Sequence, residues 1–551
     1  MSALGLVLSF WVCAAAGAGQ PAEAVVQPGW DWTLPEGARP VPYSGFVSWG
    51  KGRFSEMITV GGIAVSWKQL CPAPDTCDFA PVTEAIERNK AAGMRSGIHL
   101  KGVERQTVPD WIVERYNVPV VPVIPLQDNQ PWRISIVPPW HPDVLREYRK
   151  FMAAFAKTGA AQREEVVYGY IHGISPSRGE EMFLRPKDVE DWEKQAGLTP
   201  PLLADCMKAR IDGMLEAFQG VEYKLAWMNS GGPIVPSPKA YQEATADLWK
   251  YAMDRGTGWR GGGVDFQHGL FSAPALGTSV TEDGYCVVDE TLPALVQRRF
   301  RGDENEEYGK GWEWRFDSYE HHAYRHRICT LRTLQLRQNF QMVSAETLKL
   351  NPQLNQYALL TQGRLWDDSP DAWAYLRECE LRPALKVKNL ERWLIQRDVE
   401  GSQSVACEQV DRPPLARDAE GKHYDMDARR TDIRAGQDGL AFQLDPKFWD
   451  KPQPALLKVT FTDREETRWH VEYTDANNNK QRTASVENAG DGERKTATFS
   501  IDSLASAGQF PGGMDFRLVA EGPGDVVVTM VRIIKKNWTE PERKGTTRRG
   551  A

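Results

Sequence analysis

The chain has 551 residues, of which 41% are hydrophobic and 26% charged, a balance that fits a folded globular protein and excludes a disordered or fibrous one. That length holds two or three domains. A formal net charge of −7 offers no basic face, so nucleic acid is not an expected partner.

The N-terminus reads as a secretory signal over residues 1–20. The apolar run Leu4–Val12 is followed by small residues from Ala14 to Gly19, which suit a signal peptidase. The run is too short to span a membrane, and no later segment is a candidate span. The mature protein is therefore expected to be secreted or periplasmic. Of the eight cysteines, Cys13 lies in the signal. Cys71 and Cys77 are close enough across a Pro-containing loop to pair in an oxidising compartment, and the others read as buried thiols. No Cys/His spacing resembles a zinc site. His322 and His326 share a helix face, but no carboxylate completes a metal set, so no metal or other cofactor is expected.

Gly45–Trp49 and Gly62–Trp67 read as short buried strands. Asp78–Phe79 opens a helix over Pro81–Ala92, Gly93 stops it, and Met94–Leu100 is the next strand, which completes a β–α–β pattern. A Pro-rich loop, with an extended piece over Val118–Ile124, leads to a helix over His141–Lys157. The apolar run from Val166 is a strand that breaks at Gly173, Pro176 and Gly179, just before Glu180 and Glu181. The alternation continues with helix Pro201–Gln219, strand Tyr223–Asn229, helix Tyr241–Arg255 and strand Gly261–Phe266. The acidic segment Asp303–Glu307 and helix Tyr319–Asn339 follow. About eight alternations predict a (β/α)8 TIM barrel over residues 40–385. No Gly-x-Gly-x-x-Gly turn marks a dinucleotide fold. Alternating apolar and polar runs between Leu456 and Ile534, with turn-rich separators, predict a C-terminal antiparallel β-sandwich over 395–537. Residues 538–551 read as a loose tail.

Trp67, Asp78–Phe79, Ala85–Arg88 and Ala91–Arg95 resemble the region around the second and third strands of family 42 β-galactosidases. Pro109-Asp-Trp111 is similar to the Pro-x-Trp that follows in those enzymes. Gly179-Glu180-Glu181 departs from their Asn-Glu pair and looks like the Gly-Glu of β-amylases. The resemblance covers roughly residues 40–380. It implies a β/α-barrel glycoside hydrolase, with an acid after the fourth strand and a nucleophile at the end of the seventh.

Glycoside hydrolysis needs two carboxylates flanking one bond. Glu180 is the expected general acid, directly after Gly179. Asp303–Glu307 follows the strand counted as seventh and supplies the second carboxylate. Glu304 is preferred because it comes first after Gly302, which reads as the break of that strand, and Glu306 is next. Strand-end residues Trp67, His99, His172, Asn229, Asp265 and His268 are expected sugar contacts, and Trp111 and Trp312 are expected platforms for a pyranose face. The expected partner is an oligo- or polysaccharide. A non-catalytic carbohydrate-binding protein on a decayed barrel is the competing expectation. Sugar, linkage, stereochemical outcome and oligomeric state stay open.

Overall fold

The computed structural model describes residues 22–48, 54–123, 135–171, 173–174, 184, 186–228, 237–261, 277–291, 299–305, 319–382, 385–408 and 425–542. Among them, eight parallel strands close into a barrel. In chain order they are Gly45–Ser48, Ile58–Ser66, Arg95–Lys101, Val166–Tyr170, Leu225–Met228, Gly258–Arg260, Arg301–Glu304 and Phe340–Met342. The eighth strand pairs with the first, so no edge is left open.

The interior is packed with aromatic rings. Tyr168, Phe300 and Phe340 meet with centroids 4.8 to 5.6 Å apart. The facing positions have to be small. A Cβ at Gly97 would lie 1.9 Å from the Tyr168 ring, and one at Gly258 would lie 1.7 Å from the carbonyl oxygen of Phe300. These rings form a closed apolar floor and direct any chemistry to the barrel's C-terminal mouth.

Helices cover the outside, and their boundaries follow local signals. Pro142–Ala156 begins at His141, whose Nδ1 accepts the Asp143 N–H at 3.3 Å. Thr199 caps Pro200–Ala217 in the same way. The single helix expected over Tyr241–Arg255 is two, Lys239–Thr245 and Leu248–Met253. The sixth barrel strand is Gly258–Arg260, and of the strand expected at Gly261–Phe266 all but Gly261 lies outside the described residues.

The C-terminal region is a sandwich of two antiparallel sheets. The larger contains Asp371–Arg382, Leu385–Arg392, Gln453–Thr462, Arg494–Leu504 and Val527–Lys535, and the smaller contains Leu394–Arg397, Gly439–Leu444, Glu466–Thr474 and Phe516–Ala520. The barrel therefore ends before residue 371 rather than at 385. Asp371–Arg382 hid this boundary because both of its faces are covered. Ala372, Ala374 and Leu376 face the sandwich core, whereas Trp373 and Tyr375 join a second cluster with Phe46, Ile58, Ile328 and Leu331 of the barrel. A strand buried on both sides shows no alternation. The shared apolar cluster also fixes the sandwich against the barrel.

The N-terminal strand Ala24–Pro28 pairs with Lys495–Phe499 in the larger sheet. Asp31, just beyond it, is paired with Lys458. The start of the expected loose tail is also docked. Arg364 sits over the Trp538 ring at 5.1 Å and pairs with Glu540 at 2.7 Å.

Asp371 ties the three parts together. It pairs with Arg532 of the sandwich at 2.8 Å and accepts from Tyr357 of the last barrel helix at 2.9 Å, while Arg532 also donates to the Asp31 carbonyl at 2.6 Å. Both charged side chains are buried. Asp371→Ala leaves Arg532 buried without its carboxylate, so a loss of about 3–5 kcal/mol is expected. The unfolding midpoint in guanidinium measures it, and an unchanged midpoint would contradict the tie.

Cys71 and Cys77 form a disulfide. Alkylation of the denatured, unreduced chain should leave these two positions unmodified while Cys206, Cys286, Cys329, Cys379 and Cys407 react. Intact mass before and after reduction checks this.

Candidate active site

Strand alternation places Phe300, Gly302 and Glu304 on the inner side of the seventh strand. Gly302 lies within that strand rather than ending it. Its missing side chain leaves room for Phe300 and Phe340, whose atoms a Cβ would meet at 2.9 and 3.3 Å. Glu304 is the last residue of the strand and is only 9% exposed. Its Oε1 accepts from Nη2 of Arg260, the last residue of the sixth strand.

Arg260 is 1% exposed. Its guanidinium carbon stands 4.8 Å from the centroid of the Tyr170 ring, and its Nη2 lies 3.1 Å from the Met342 sulfur. The Tyr170 hydroxyl reaches the same sulfur at 3.6 Å, and the His99 ring meets Tyr170 edge-on at 5.7 Å. The ends of the third, fourth, sixth, seventh and eighth strands thus converge on one carboxylate–guanidinium pair above the aromatic floor. The pair holds the carboxylate in a fixed orientation through a charge-assisted hydrogen bond.

Asn305 pins the strand end. Its N–H donates to the Met342 carbonyl at 2.8 Å, and its side-chain amide donates to Gln341 at 2.9 Å and Thr330 at 3.1 Å. Asp303 faces the other way. One oxygen accepts from Gln338 at 3.3 Å and the other from the Glu304 N–H at 3.0 Å. A further carboxyl, Glu104, follows the third strand. Burial pushes it above the usual carboxylate range, and the Thr107 hydroxyl donates to it at 3.0 Å.

The other expected contacts divide into two groups. Glu180, Glu306, His172, Asn229, Asp265, His268 and Trp312 lie outside the described residues. Within them, His99 is at the pair. Trp67 is not a sugar contact. It is 1% exposed, stacks on Phe151 at 5.4 Å and meets Tyr148 edge-on, so neither face is open to a pyranose. Trp111 is half-buried against the same core, and its indole N–H donates to the Cys71 carbonyl at 3.1 Å, so it braces the disulfide loop rather than forming an open platform. His326 is a core imidazole between Thr330 and Asn351, and burial pushes it down to about 3.

Arg260 went unnoticed in the sequence. The only available signal was a charged residue directly after Trp259, where burial would demand a partner.

No family model and no curated protein matches the chain. Solved structures do. Endo-glycoceramidase II from Rhodococcus sp., in its lactosyl-enzyme intermediate, is 12% identical with a TM-score of 0.32, over 85% of this chain and 99% of that one. The β-galactosidase of the psychrophilic Marinomonas ef1 is 10% identical with a TM-score of 0.32, over 54% and 53%. A cold-adapted β-galactosidase from Rahnella sp. R3 is 12% identical with a TM-score of 0.27, over 55% and 52%. All three are glycoside hydrolases. At these scores the likeness carries no argument about this chain's activity, and the fold rests on its own strand pairing.

Proposed function

We propose that the chain is a glycoside hydrolase that works at the C-terminal mouth of its barrel by a retaining, two-carboxylate mechanism. The observation that carries the reading is the Glu304–Arg260 pair, a buried carboxylate at the end of the seventh barrel strand with its counter-charge supplied from the neighbouring strand. The guanidinium orients the carboxylate through a charge-assisted hydrogen bond to one of its two oxygens.

In the first step, Glu180 gives its proton to the glycosidic oxygen. The second Glu304 oxygen attacks the anomeric carbon while Arg260 holds the first. The glycosyl–Glu304 ester then breaks when a water, deprotonated by Glu180, attacks the same carbon, so the two inversions restore the configuration. His99 and Tyr170, each buried, are proposed to support the Arg260–Glu304 pair from beneath rather than to touch the sugar. The substrate is proposed to be an oligo- or polysaccharide. The Cys71–Cys77 bond supports an oxidising, extracytoplasmic setting.

The test is a panel of aryl glycosides and of plant and algal polysaccharides, with the anomeric configuration of the first product followed by NMR. A product that keeps the substrate's configuration supports the mechanism, and an inverted one removes the nucleophile role of Glu304. Binding of a glycan without turnover would favour the non-catalytic reading instead.

A further inference from the structure

We infer that a small monovalent anion of halide size is held against the guanidinium of Arg301, in the layer between the barrel and the sandwich. Arg301 opens the seventh barrel strand. Its neighbours Phe300 and Gly302 face the barrel interior, so the Arg301 side chain projects outward. The residue is 0% exposed. Its backbone is held by Asn339, whose side chain accepts the Arg301 N–H at 2.8 Å and whose own N–H donates to the Arg301 carbonyl at 3.0 Å. Its side chain is held by nothing described: Nε, Nη1 and Nη2 are all buried without a hydrogen-bond acceptor among the described residues.

The surroundings make the deficit worse. Arg337 and Arg392 are close enough for their charges to act on Arg301, and only Tyr43 acts in the opposite sense. Burial and the two like charges push the Arg301 guanidinium down to about 9. Those two arginines lie against Trp393, each guanidinium carbon 4.4 Å from the ring centroid, and each has acceptors of its own, although Nε and Nη1 of Arg392 are also buried without one. Arg337 donates to Glu290 at 2.6 Å and to the Gln335 carbonyl at 3.1 Å. Arg392 donates to the carbonyls of Thr361 and Arg364 at 2.9 and 3.1 Å, with Asp368 and Asp371 within electrostatic reach.

An arginine does not shed its proton in a protein, and a buried guanidinium with five idle donors is severely unfavourable. Water would satisfy the donors but not the charge. An anion satisfies both. Complete burial limits it to an ion that fits without its hydration shell, and one uncompensated charge calls for one negative charge. The fork of N–H groups presents that ion with several donors at once.

The experiment compares unfolding of the full chain in sodium bromide and in sodium gluconate at fixed ionic strength. Gluconate is too large to enter. Above the dissociation constant, each tenfold rise in bromide should lower the apparent unfolding constant about tenfold. Arg301→Met, which keeps the length and removes the charge, should abolish that dependence. Crystals of the parent soaked in bromide should show an anomalous peak at the Arg301 guanidinium. Equal stability in the two salts, a bromide dependence that survives in Arg301→Met, or a soaked crystal without the peak would each overturn the site. If the variant fails to fold, the peak in the parent decides.

Discussion

Glu304→Gln should lower turnover by at least about 10⁴-fold on every substrate the parent cleaves, activated aryl glycosides included. The amide is close in shape, and Arg260 can still donate to its carbonyl oxygen, so the mouth of the barrel keeps its geometry. What the amide lacks is a nucleophilic oxygen. A better leaving group cannot replace a missing nucleophile, so the loss should not depend on the aglycone. Azide supplied to Glu304→Ala should restore turnover and give a glycosyl azide of inverted configuration, because the small anion attacks from the vacated side. Wild-type rates in Glu304→Gln would move the nucleophile elsewhere, with Glu306 the first place to look.

Glu180→Gln should behave differently, and the contrast identifies the roles. General acid assistance is worth on the order of 10²–10⁴ in rate, so an alkyl or sugar leaving group should lose that much. A dinitrophenolate leaves without a proton, and its first step should be nearly unchanged. Water still needs a base in the second step, so the glycosyl-enzyme accumulates and a burst precedes a slow steady state. Azide, which needs no base, should relieve that block in Glu180→Ala and give a product of retained configuration. If turnover of both substrate types falls equally and azide does nothing, Glu180 is not the acid.

The barrel was legible because most of its strands, such as Arg95–Lys101, Val166–Tyr170 and Leu225–Met228, are short runs followed by a helix, and the count led to the seventh strand, which Glu304 closes rather than follows. Gly302 was read as a break because glycine usually punctuates a strand. Here it is kept small by the neighbouring rings, a constraint that only packing reveals. Trp67 and Trp111 were misread for a related reason. Tryptophan serves a sugar face and a core equally well, and composition cannot tell which side of the indole is covered. The partner of Glu304 was hidden because Arg260 lies 44 residues away, on a strand only three residues long whose one large apolar residue is Trp259. The domain boundary was displaced because Trp373 and Tyr375 pack on the barrel while Ala372 and Ala374 pack within the sandwich.

The pairing of Ala24–Pro28 with the sandwich sets a schedule for biosynthesis. Gly29 and its partner Thr496 are 467 positions apart. At roughly 5–20 residues per second, the first strand leaves the ribosome roughly half a minute to a minute and a half before its partner exists. Its unpaired edge is available to other chains for that whole interval. The barrel can close early, since its first and eighth strands need nothing beyond Met342. The N-terminal clasp cannot, and a nascent chain stalled before residue 494 would expose that edge for as long as the stall lasts.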